Sequence, residues 1–120
     1  MKSTSGWPRL NVPAGPNDPF DDLRASYYER LRSERSQLIE LHAQLSRPEL
    51  DPIALYETIY LVAHGMAGAA AIFGVADVLS AASALERAAI AMTKAPEDGS
   101  RPTLDAALQA LTDLLQSLCA

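Results

Sequence analysis

From Phe20 onward the chain places apolar side chains three and four residues apart, at Phe20, Leu23, Tyr27, Leu31, Leu38, Leu41 and Leu45. That spacing keeps them on one face of a helix and predicts α-structure over residues 20–46. Arg24, Glu29, Arg30, Arg32, Glu34 and Arg35 mostly fill the other side, which reads as a solvated face. Asp18-Pro19 is a start signal, the carboxylate capping free amides and the proline fitting the first turn, and Pro48 is a stop. Asp51-Pro52 repeats the start, opening a helix over 52–73 that Gly74 closes. Val78, Ala82, Leu85, Ala89 and Met92 mark a third helix over 76–93. Pro, Asp, Gly and Ser between Ala95 and Arg101 make a loop. After Pro102 a fourth helix, over 103–118, turns Leu104, Leu108, Leu111, Leu115 and Leu118 inward. No alternating strand pattern occurs. The expected fold is all-α, an antiparallel up-down-up-down four-helix bundle over 18–120. Residues 1–17 carry Pro8, Pro13 and Pro16 among glycines and read as an extended arm, with Trp7 either packed on the body or solvated.

Composition narrows the function. The 120 residues are 48% hydrophobic and 21% charged, ordinary for one globular domain. A formal charge of -5 argues against nucleic-acid binding and against docking on an anionic membrane. Cys119 is the only cysteine, so no internal disulfide forms, and one thiol with His42 and His64 does not make a zinc site without several carboxylates. No cofactor is expected. No apolar run reaches the roughly 18 residues of a membrane span, and no signal peptide opens the chain, so a cytoplasmic protein is expected. Four amphipathic faces can satisfy one another within a single chain, which predicts a monomer.

His64 stands out once the second helix is projected at about 100° per residue. Tyr56, Ile59, Val62, Ala63, Met66, Ala70 and Phe73 gather on a core stripe. His64 lies about 140° from the stripe's centre, sharing an outward sector with Glu57, Tyr60, Leu61, Gly68 and Ala71. Gly68 costs about 1 kcal/mol against alanine inside a helix. Ala67 and Ala71 are small where an exposed face normally carries Lys, Glu or Gln. These trimmed neighbours leave room for another body to reach the ring. An ordinary surface histidine beside a packing glycine fits the projection equally well. A metal site would need ligands one turn away, and Tyr60, Ala67, Gly68 and Ala71 supply none.

The run from His64 through Gly68 to Phe73-Gly74, followed by Leu79, Ala82 and Leu85-Glu86, resembles the signature of histidine phosphotransfer (Hpt) domains. The helical pattern extends the likeness over residues 20–118. The resemblance implies that His64 carries a phosphoryl group, exchanged with the aspartate of a response-regulator receiver domain and supplied upstream by a hybrid or sensor histidine kinase. It implies Mg²⁺ on the receiver only, and a docking face made of Tyr60, Leu61, Gly68, Ala71 and Ile72. No Gly-rich phosphate loop is present, so the carrier that the resemblance implies is expected to have no ATP site of its own. One departure stands out: the family often has Lys three residues after the histidine, and this chain has Ala67. The cation then expected to reach over is Arg87 on the third helix. Glu86 reads first as a helix-surface carboxylate, with a hydrogen bond to the His64 ring as the other reading. His42 reads as structural, Tyr27 and Tyr28 as core and core edge. The alternatives are a helical adaptor using the same face without phosphorylation, and a purely structural bundle.

Overall fold

A computed structural model describes residues 19–96 and 99–119; the N-terminal arm, with Trp7 and the Asp18 cap, lies outside the described residues. Four helices follow one another: α1 (Pro19–Gln44), α2 (Pro52–Phe73), α3 (Ala76–Lys94) and α4 (Arg101–Cys119). No strand occurs among the described residues. The α2 boundaries follow local chemistry. The Asp51 side chain accepts a hydrogen bond from the Ile53 amide at 3.0 Å, and Pro52 needs no donor at the first position. At the other end Gly74 adopts φ 73°, a left-handed conformation that favours glycine, and both its amide and that of Val75 return to the Ala70 carbonyl.

The chain divides into two units between Arg30 and Leu31, with α1 running through the boundary. In the described part of the first, Tyr27 is buried and its ring lies 5.7 Å from that of Tyr28. Phe20 and Leu23, expected on the core stripe, are instead 39% and 52% exposed. Apolar spacing fixes which face of a helix is apolar, and says nothing of how far along its length that face is covered.

In the second unit, α2 and α3 turn back on each other through Gly74 and Val75, and His64 and Glu86 stand opposite at equal distances along the chain from Val75. Moving back along α1 from His42 to Arg35 moves the partner forward along α4 from Asp105 to Thr112, so these helices also run antiparallel. With α3 packed directly on α4, the order is up-down-up-down. The core holds Leu38 and Leu41, Ile59 and Met66, Leu85 and Met92, and Leu104, Leu108, Leu111 and Leu115. Each such large side chain contributes about 1.5–3 kcal/mol through burial. Every residue of the expected α3 stripe is buried. In α4, Leu118 is exposed near the helix end; in α2, Val62 is half-buried and the terminal Phe73 exposed, whereas Ala67 and Ala69 are buried in addition. No described helix is long and apolar enough to cross a membrane.

Candidate functional site

Helix α2 sets its apolar stripe against its neighbours and so turns His64, in mid-helix, outward, with 64% of the side chain exposed. Nδ1 of the ring lies 2.8 Å from Oε2 of Glu86 on α3. A carboxylate only accepts, so Nδ1 carries the proton and donates it. A neutral imidazole has one N–H, which leaves the Nε2 lone pair outward, without a hydrogen-bond partner among the described residues. The fully legible part of this arrangement was His64; the bond that its ring donates to Glu86, read from sequence as the lesser alternative, is present. Glu86 is half-buried against the helix pair, which limits the positions its carboxylate can take.

Tyr60, one turn earlier, stacks on the imidazole with ring centroids 5.8 Å apart and planes inclined by 19°. The sequence reading gave Tyr60 to a docking face and missed this contact, although an aromatic four residues before a histidine is the spacing that allows it. Gly68, one turn later, is exposed, and a Cβ built on it would meet nothing within 4 Å. The fold therefore makes no steric demand for glycine there, and its helix penalty has no packing explanation. Leu61 is 65% and Ile72 82% exposed, with Ala71 also at the surface. Helix α3 adds Leu79 and Ile90, at the edge of exposure. The mirror relation about Val75, which pairs early residues of α2 with late residues of α3, would have brought these into view.

Two expected neighbours of the histidine are placed elsewhere. Ala67 is buried at 8% exposure, so it is a packing residue and not an open position missing a lysine. Arg87 lines a shallow groove with Ala84, Ala88, Ala91, Ser100 and Thr103, between α3 and the start of α4, about 100° around α3 from Glu86. Helix α2 itself has no Lys or Arg. Ala67→Lys should accordingly act on the core before it acts on charge, costing roughly 1–3 kcal/mol by overpacking, with the ammonium pulled toward the surface. Urea denaturation would register that loss; unchanged stability would mean that the site tolerates a long side chain.

His42 belongs to a different construction. Its Nε2 donates to Oδ1 of Asp105 at 3.0 Å, and Nε of Arg101 donates to the same oxygen at 2.8 Å, fastening α1 to α4. Burial works to raise the Asp105 pKa, but hydrogen bonds from Arg101 and then His42, with their charges, outweigh it and hold the carboxyl below its usual value near 3.8. A depressed folded-state pKa gives stability that is present above the unfolded value and lost as pH falls through the folded one. Asp105→Asn should thus lower the melting temperature slightly at neutral pH, by an amount typical of half-exposed pairs at about 0–1 kcal/mol. The gap to wild type should close as pH falls below the usual aspartate value. Melting curves across that range test it, and a pH-independent gap would assign the loss to packing instead.

Among the described residues no group of three or more His, Cys, Asp and Glu is placed to hold a metal ion. Comparison of the chain with protein-family models, curated proteins and solved structures finds no match.

Proposed function

We propose that this chain is a phosphocarrier of the Hpt kind, with His64 as the residue that takes and passes on a phosphoryl group. The observation that supports it is the imidazole held outward from mid-helix with Nδ1–H on Glu86, Nε2 open, and Gly68 beside it where no fold requirement asks for glycine. In the reaction the Nε2 lone pair attacks the phosphorus of an aspartyl-phosphate on a receiver domain. The N–P bond forms as the P–O bond to the aspartate breaks, and the aspartate leaves as a carboxylate. Nδ1 keeps its proton, and the Glu86 carboxylate faces the positive charge that builds on the ring. Transfer in line depends chiefly on positioning, which a fixed ring provides. The receiver brings the Mg²⁺ and the cation that α2 lacks. A hybrid or sensor kinase stands upstream, and the compartment proposed is the cytoplasm.

The second reading, a helical adaptor that binds its partner without phosphorylation, draws on the exposure of Leu61 and Ile72 on the same helix. Incubation with phosphoramidate and with a panel of phosphorylated receiver domains separates the two. The phosphocarrier takes up one acid-labile, base-stable phosphoryl group. Binding to a receiver with no label from any donor would establish the adaptor.

A further inference from the structure

The ring of His64 is held by two contacts of different kinds, and one hydrogen bond does not by itself fix a plane. With only Glu86, the imidazole remains free to swing about the Nδ1–H···Oε2 axis. Side chains on a helix lean toward its N-terminus, so His64 lies back over the turn that carries Tyr60. There the two rings meet nearly parallel, inclined by 19°. By the same geometry a side chain at position 68 would lean back over the turn of His64, and Gly68 has none. One face of the imidazole is therefore closed by Tyr60 and the other is left clear.

Building on the phosphocarrier reading, we propose that Tyr60 is a positioning residue for phosphoryl transfer. It fixes the plane of the His64 ring and with it the direction of the Nε2 lone pair, which lies in that plane and along which phosphorus must approach. The missing side chain at Gly68 keeps the opposite face clear for the phosphoryl donor. Tyr60 also keeps Nδ1 aligned with Glu86 and thereby holds the tautomer with Nε2 unprotonated. This differs from a docking contact, which would matter only to a large partner. Phosphoramidate makes the distinction, since it needs no protein surface. Its P–N bond breaks and ammonia leaves with the bonding pair as Nε2 bonds to phosphorus, while Nδ1 keeps its proton.

The experiment uses the full chain with Tyr60→Phe, Tyr60→Leu and, should the leucine variant fail to fold, Tyr60→Met. Two quantities are read: the labelling rate with phosphoramidate, and the Nδ1–H to Nε2–H ratio of the unphosphorylated ring from imidazole ¹⁵N shifts. Tyr60→Phe keeps an aromatic face and should match wild type in both. Tyr60→Leu should label roughly two- to tenfold more slowly, the range that one aromatic stack supports, and should drift toward a mixture of tautomers. Wild-type labelling and wild-type tautomer ratio in the leucine variant would overturn the role of Tyr60 and leave the phosphocarrier intact. Absence of label on the wild-type chain from every donor would overturn the phosphocarrier, and the tautomer ratio would still decide whether Tyr60 orients the ring.

Discussion

His64→Gln should yield a protein that folds as the wild type does and takes up no phosphoryl group. The position is exposed, glutamine is a good helix former, and its amide can still donate to Glu86, so stability should change by no more than about 0.5 kcal/mol. Labelling, by contrast, should vanish and not merely slow, because an amide nitrogen has no available lone pair. Circular dichroism and intact mass after phosphoramidate treatment read the two halves of the result. Label surviving on the variant would transfer the assignment to His42. That outcome runs against the structure of the second histidine, whose Nε2 is occupied by Asp105. His42→Gln should label as wild type does.

Gly68→Gln should move stability and transfer in opposite directions. A Cβ at this position meets nothing within 4 Å, so the variant collects helix propensity, up to about 1 kcal/mol, without a steric penalty at the backbone. It also places a flexible amide over the one open face of the His64 ring. Transfer from a phosphorylated receiver should fall by roughly an order of magnitude or more, corresponding to about 1.4 kcal/mol in the barrier for each tenfold loss. A melting curve and a transfer time course on the same sample give both numbers. A rise in melting temperature with an unchanged rate would mean that the partner reaches Nε2 by a route that avoids Gly68. The two effects together would explain a glycine in mid-helix as stability given up for access.

The sequence made the four helices and the outward direction of His64 readable because both follow from periodicity along a single helix. What surrounds the histidine did not follow so directly. Ala67 and Ala69 flank the α2 stripe on either side, and a projection of an isolated helix puts them near its edge. In the folded chain small side chains at that edge let neighbouring helices close in and cover them. Ala67 thus looked like a lost lysine when it was a close contact. Glu86 and Arg87 are adjacent in sequence but about 100° apart around α3, so only one of them can face α2. The spacing did not say which; the register set by Gly74 and Val75 does. At the start of α1, Phe20 and Leu23 continue the apolar pattern of Tyr27 and Leu31 beyond the point where burial begins.

The separations along the chain between paired groups bear on the order in which the molecule assembles. His64 and Glu86 are 22 residues apart and are joined by a tight reversal. The fastening of α1 to α4 spans 63 residues at His42 and 77 at Arg35. Closing the longer of these loops costs roughly 1 kcal/mol more in chain entropy than closing the short one, and contacts local in sequence form sooner. During refolding the α2–α3 hairpin can therefore bring the histidine to its carboxylate while the ends of the chain are still apart. His64 thus meets Glu86 through a shorter loop than the ones that fasten α1 to α4.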